Sequence, residues 1–241
     1  IYTDYSINGI VIAYDAKKIN EELLETFLMD DLNIVGNFRF ESVSRSAELQ
    51  EHLSIYAGRM VAVGLSSCST GFAIKSGSTR GFVTAGHCGT IGSSVSYSNT
   101  NVGTVTKRAY QSNINAAFVS VNSNHTVIKQ ESTIPYTPVS YSEARTTLPV
   151  QGSTMLFSGQ KTRKNVTLQS NNATFVASNM TWSKMLKYPE TSVPGDSGGI
   201  LLIGNQAVGV NRGGTQWNSP GLGGSYATPS STVLNVLNLN N

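Results

Sequence analysis

The residues best able to do chemistry in this chain are few, and two of them stand in unusual company. "TAGHC" (84–88) places His87 at the end of an apolar run, and "PGDSGG" (194–199) sets Ser197 among the glycines Gly195, Gly198 and Gly199. A serine hydroxyl is a poor nucleophile until a nearby base takes its proton, and histidine is the side chain best tuned for that near neutral pH. The other histidines, His52 and His125, lie in no such setting and read as ordinary core or surface residues. After Arg59 acids are scarce: Asp196, Glu131, Glu143 and Glu190. Cys68 and Cys88 by themselves read either as a disulfide, whose loop closure contributes roughly 3 kcal/mol, or as two unrelated buried thiols. A metal site is not expected, because Cys88 adjoins one histidine and no further ligand cluster exists. No cofactor is implied.

The elements that must position these residues are mostly strands. From about Ile55 onward short apolar runs alternate with turns: "MVAVGL", "GFVTAG", "VGTVTKRAY", "AAFVSV", "STMLFSG", "GILLIG" and "QAVGVN" among them. Spacing of this kind predicts an all-β barrel or sandwich, with "TVLNVLNL" as a closing helix. Pro135, Pro138 and Pro149 mark a link between two halves near 132–149. The first 54 residues differ. A strand over Ile10–Tyr14, a helix capped by Asp15 with Ile19, Leu23, Leu24, Phe27 and Leu28 on one face, the alternating strand "NFRFESVS", and a second helix from Ser46 form a small α+β unit.

The two motifs together, in this order and separated by strands, resemble the chymotrypsin-like serine proteases. The run "CSTGFAIKSGSTRGFVTAGHCGT" is similar to the bacterial branch typified by alpha-lytic protease, and the likeness covers nearly all of residues 55–241. It implies a mainly β, trypsin-like fold of two six-stranded β-barrels with the site between them. It further implies that Ser197 is the nucleophile, His87 its general base, and the backbone N–H groups of Gly195 and Ser197 the oxyanion hole. Cys68 and Cys88 match the disulfide that braces the histidine loop. Ser192, Asn211, Thr215 and Gln216 would line the primary pocket, which is then polar and has no acid at its base. "SIYAGR" (54–59) resembles the mature start of the family, so residues 1–54 resemble a pro-region and cleavage is expected just before Ile55.

Three positions depart from the family. "INAAFVSV" puts Asn115 where the family has the triad Asp, so the residue that orients the histidine and stabilises its imidazolium is an amide. "GVNRGG" puts Arg212 where a serine normally contacts that Asp, adding a positive charge near His87. "LFSGQ" offers Phe157 where an Arg usually neutralises the nucleophile-loop Asp, leaving Asp196 without an evident partner; an amine freed at Ile55 is one candidate.

The net charge of +3 hides an asymmetry. Residues 1–60 hold five Lys/Arg and ten Asp/Glu, leaving twelve basic and four acidic residues in the remainder. An acidic segment facing a basic body predicts intramolecular docking of the pro-region. Scattered basic residues with few interleaved aromatics argue against nucleic acid, and no apolar run is long enough to span a membrane. No secretory leader is visible at Ile1, so the chain is expected to be cytosolic or a product whose leader has been removed. The resemblance selects the second: a secreted, monomeric zymogen of a serine endopeptidase acting on peptides, impaired at Asn115. The alternative is an inactive pseudoprotease kept as a binding module.

Overall fold

The computed structural model describes residues 2–4, 9–14, 20–26, 38–42, 52–132, 137–177, 179–215 and 223–241. The chain divides into two compact units, Ile1–Gln50 and Glu51–Asn241. In the first, β1 (Tyr2–Asp4), β2 (Gly9–Tyr14), α1 (Glu21–Thr26) and β3 (Phe38–Ser42) form a three-stranded sheet and a helix. β1 and β2 run antiparallel, whereas β2 and β3 are parallel and so require the crossover in which α1 lies. The Asn20 side chain caps α1 by accepting the Glu22 N–H at 2.9 Å. Asp15, expected as the cap, lies outside the described residues, as does the start of the helix expected from Ser46. That helix does not run through "LSIY", because Ser54–Ala57 is a strand with Ile55 fully buried.

The second unit opens with this strand, β4 (Ser54–Ala57), followed by β5 (Met60–Val63), β6 (Ser66–Ser69), β7 (Ala73–Ser76), β8 (Thr79–Thr84), β9 (Ser94–Tyr97), β10 (Thr100–Gln111) and β11 (Ile114–Val121). The sheet order is β6-β5-β9-β10-β11-β8-β7. Its two outermost strands are consecutive in the chain, joined by residues 70–72, so the sheet curls back on itself through one bent strand. With β6 and β7 counted as that strand, it has the six expected. Gly71 sits at the bend because a Cβ there would lie 2.7 Å from the Val83 carbonyl oxygen and 2.9 Å from that of Gly198.

β12 (Thr126–Glu131) and β13 (Val139–Ser140) then pair with each other and with β4, and the chain crosses to the second sheet. That sheet contains β14 (Glu143–Ala144), β15 (Thr154–Ser158), β16 (Arg163–Thr167), β17 (Ser170–Ala177), β18 (Met180–Tyr188), β19 (Ile200–Ile203), β20 (Gln206–Thr215) and β21 (Gly224–Pro229). Its order, β16-β15-β19-β20-β21-β18-β17, again ends on consecutive strands, with β14 attached to β20. The expected closing helix is α2 (Ser230–Leu237), which packs Val233, Leu234 and Leu237 into a core shared by both barrels. Lys107 holds its C-terminal end, donating to the carbonyls of Leu237 at 2.8 Å and Asn238 at 3.0 Å, where a cation complements the helix dipole.

β11 shows how two cores fix one strand. Ile114, Ala116 and Phe118 face the shared core, while Ala117 and Val119 face the first barrel's interior. Asn115 therefore points to the first-barrel side at the strand's start. The Cys68–Cys88 disulfide ties β6 to the histidine loop. Replacing both cysteines with alanine is expected to lower unfolding free energy by about 3 kcal/mol in urea denaturation, the loop-closure value for a bridge of this span.

Candidate active site

Between the barrels, three local constraints bring the chemistry together. His87 follows β8 in a tight turn, with the Cys88 N–H donating to the Ala85 carbonyl at 3.1 Å. Gly86 allows this turn to press against β10 and β11, since a Cβ would lie 2.5 Å from the Ala109 carbonyl oxygen. Ser197 follows a type II turn over Val193–Asp196, closed by the Asp196 N–H on the Val193 carbonyl at 3.0 Å. Proline at the second position and glycine at the third, with φ 103° at Gly195, are the residues that turn demands. Gly198, at φ 91°, then brings the backbone against Thr84 and Ser69 of the first barrel, where no side chain fits. The Ser69 N–H donates to the Ser197 carbonyl at 2.7 Å and its hydroxyl to the Gly195 carbonyl at 2.9 Å.

The resulting cleft, about 470 Å³, is lined by His87, Tyr110, Ser192, Ser197, Arg212 and Gly214 among others. Gly195 and Ser197 donate their N–H groups to no protein acceptor among the described residues, so both donors remain available to an incoming oxyanion. Ser192 forms part of the wall, its N–H held by the Ser225 hydroxyl at 2.9 Å. Asn211 does not line the cleft as expected. It is fully buried behind the wall, donating to the Ser192 hydroxyl and the Asp196 carbonyl at 2.8 Å each and accepting from the Tyr188 hydroxyl at 2.8 Å. Burial and the neighbouring Asp196 charge push the Tyr188 pKa well up, which keeps that phenol a donor. Thr215 pairs with Gly224 at the end of β20, and Gln216 lies outside the described residues.

The Asp196 carboxylate, fully buried, is closed by two backbone donors: Lys161 N–H at 2.9 Å and Val193 N–H at 3.0 Å. In the uncleaved chain Ile55 is buried in β4 in register with Val127 and has no free amine to offer. Phe157, in the place of the usual Arg, is buried against Tyr188 in the second-barrel core. Glu131, the other fully buried acid, is occupied by Arg163 at 3.1 Å and the Ser158 hydroxyl at 2.7 Å. None of these carboxylates reaches the His87 ring. Cys68 and Cys88 lie close to His87, but their sulfurs are bonded to each other and cannot act as thiolate ligands.

Asn115 decides the state of the histidine. Its Oδ1 accepts the backbone N–H of His87 at 3.0 Å, while its own N–H is held by the Thr228 hydroxyl at 3.0 Å. Nδ2 lies 2.9 Å from His87 Nδ1, closer than Oδ1 at 3.3 Å. An amide nitrogen only donates, so across this shorter contact Nδ1 accepts and the proton of the neutral ring sits on Nε2. An Nε2–H cannot take the serine proton. Ser197 accordingly donates its hydroxyl to the Arg212 carbonyl at 3.3 Å instead.

Sequence reasoning missed the aromatic wall beside this site. Tyr110 stands directly opposite Asn115 across the β10–β11 hairpin and packs its ring 5.3 Å from Trp182. Arg212 Cζ lies 4.5 Å from the Trp182 ring centre and 5.2 Å from that of Phe175. Arg108 covers Tyr110 at 5.2 Å and donates from Nε to the Gly86 carbonyl at 2.6 Å. The two-residue hairpin turn at Ser112 and Asn113 was the available signal, because it pairs Gln111 with Ile114 and thus Tyr110 with Asn115.

Comparison with known proteins agrees with this geometry. The family model described as Trypsin matches residues 50–237. Streptogrisin-C of Streptomyces griseus is 28% identical over 241 residues, covering 99% of this chain and 50% of its own length. The chain thus spans about half the length of that relative. The crystal structure of Thermobifida fusca Protease A aligns with a TM-score of 0.68 at 31% identity, over 78% of this chain and 97% of that one. Nocardiopsis Protease aligns with a TM-score of 0.68 at 32% identity, over 78% and 98%.

His87 is exposed as a residue, yet partial burial of its ring is the largest cause lowering its pKa from 6.5. Asn115 Oδ1, 3.3 Å from Nδ1, accepts from the ring once it is protonated and opposes that shift, whereas the Arg212 and Arg108 charges add to it. The unfolded chain therefore binds this proton first as pH falls, and the group's contribution to stability is present above about 6.5 and declines below it. Arg212→Gln is expected to raise the His87 pKa while leaving it below 6.5, since burial, the largest cause, remains; an NMR titration of the ring protons reads this directly.

Proposed function

The chain belongs to the trypsin family of serine proteases, and from that we propose that it is a secreted serine endopeptidase in zymogen form whose turnover is impaired at Asn115. Ser197 attacks the peptide carbonyl, the Gly195 and Ser197 amides receive the oxyanion, and His87 carries the proton to the leaving amine. The observation that supports activity is the pair of free backbone donors beside a nucleophile held by the Val193–Asp196 turn. For the impairment it is the 2.9 Å approach of an amide nitrogen to the base. Turnover requires the tautomer in which Nδ1 donates to Asn115 Oδ1, 3.3 Å away, and Nε2 is free.

Residues 1–54 act in this reading as a pro-segment. A separate compact unit at Ile1–Gln50 and its acidic excess, against a basic protease body, support docking within the chain and cleavage ahead of Ile55. The disulfide supports an oxidising compartment, and no described helix is long and apolar enough to cross a membrane. Substrates are peptides or proteins, handled by a monomer. A second reading, an inactive module that binds peptide without cutting it, is favoured by the Ser197 hydroxyl turning to the Arg212 carbonyl rather than to His87.

An organophosphonate probe separates the two. Slow labelling that disappears in Ser197→Ala is the expected result, and absence of labelling even in Asn115→Asp supports the inert module. Asn115→Asp is expected to raise kcat by about 10³-fold or more, approaching the loss seen when a triad Asp becomes Asn. It should also release a fragment ending near Ser54, visible by mass spectrometry.

A further inference from the structure

Arg212 carries a charge that no acid among the described residues answers. Its guanidinium rests on the faces of Trp182 and Phe175, and its Nε is buried without a hydrogen-bond partner. Ring faces hold a cation in place but do not neutralise it. The acids of the protease body are engaged elsewhere or unpaired with it. Glu131 binds Arg163, Glu143 receives Gln206, Asp196 is closed by backbone donors, and no ion pair joins Glu190 to Arg212. Burial lowers the Arg212 pKa from 12.5, as expected of a cation drawn out of water.

Arg212 is a half-buried residue of the cleft lining. Arg212, Tyr110 and His87 line the same cavity, with the Tyr110 ring 6.5 Å from that of His87. Arg108, Tyr110, Trp182 and Arg212 stack in sequence, so a rigid aromatic wall carries a guanidinium at each end. No acidic side chain lines the cavity. A planar guanidinium fixed on a ring presents its remaining N–H edge in the geometry that a carboxylate accepts with two oxygens.

We propose that Arg212 forms a subsite for an acidic side chain, so that the cleft prefers peptides carrying Glu or Asp close to the bond presented to Ser197. The inference rests on the reading of this cleft as a peptide-binding cleft. The bound carboxylate supplies the anion that Arg212 lacks, and it offsets the positive charge beside His87. Position 212 thereby sets specificity through its side chain while its carbonyl holds the Ser197 hydroxyl.

The test is peptide binding by fluorescence anisotropy to the full chain carrying Ser197→Ala, so that turnover plays no part. Three N-acetylated probes are compared: one with a single Glu and an amidated C-terminus, its Gln counterpart, and a neutral peptide with a free C-terminal carboxylate. The Glu peptide is expected to bind about tenfold tighter than the Gln peptide, as for a charge-assisted hydrogen bond. That preference should fall to about twofold in Arg212→Gln and persist in part in Arg212→Lys, which retains the cation. Equal affinities, no binding by either peptide, tighter binding of the free-carboxylate probe, or an unchanged preference in Arg212→Gln would each overturn the proposal. Should Arg212→Gln fail to fold, the Arg212→Lys comparison and the Glu-to-Gln ratio in the parent chain decide. Ser197 labelling without a Glu preference leaves the peptidase reading standing and removes only this subsite.

Discussion

One backbone N–H governs the chemistry of this site. The amide of His87 needs an acceptor inside the protein, and Asn115 Oδ1 is the oxygen that supplies it. A carboxylate in that place has two oxygens and can accept from both the backbone and the ring. An amide has one oxygen and one donor end, and here the nitrogen lies nearer Nδ1 than the oxygen does, at 2.9 Å against 3.3 Å. With Nδ2 donating across the shorter contact, the ring proton sits on Nε2. The base loses its lone pair on the side of Ser197, and the serine hydroxyl finds the Arg212 carbonyl.

The rest of the machinery does not rely on that residue. The turn that presents Ser197 is set by Pro194 and Gly195, and the close approach of Gly198 to the first barrel is a matter of backbone space. The buried Asp196 is satisfied by amides rather than by a cation, so loss of the usual Arg at Phe157 leaves its hydrogen bonds complete. Barrel closure through bent strands holds these parts at a fixed distance. In the proposed reading, the protein combines two free backbone donors for an oxyanion with a histidine poorly set to deprotonate Ser197. Arg212 deepens the second effect: its charge adds to the burial that disfavours imidazolium.

Much of this was legible in the sequence. Alternating apolar runs located most strands, and "TAGHC" with "PGDSGG" pointed to His87 and Ser197, which line one cleft, because their glycines and cysteine report backbone geometry that tolerates little else. The strands β6, β12, β18 and β21 were harder to find. "SSCS", "TVIKQE", "MTWSKMLKY" and "GSYATP" carry polar or small residues whose place in a sheet depends on neighbours from distant sequence. Asn211 illustrates the same limit: an exposed amide and a buried one look alike until Tyr188, Ser192 and Asp196 surround it. The identity of residue 115 was plain, but which end of its amide faces the ring follows only from the His87 backbone position. The aromatic seat of Arg212 joins β10, β17, β18 and β20, and no local pattern connects them.

The tautomer of His87 tests the account most directly. Nitrogen-15 chemical shifts of its imidazole, recorded above the ring's pKa, distinguish a proton on Nε2 from one on Nδ1. The structure predicts a protonated Nε2 and an acceptor Nδ1, with Asn115→Asp moving the proton to Nδ1. A neutral ring already protonated on Nδ1, with Nε2 free to accept from Ser197, would contradict it.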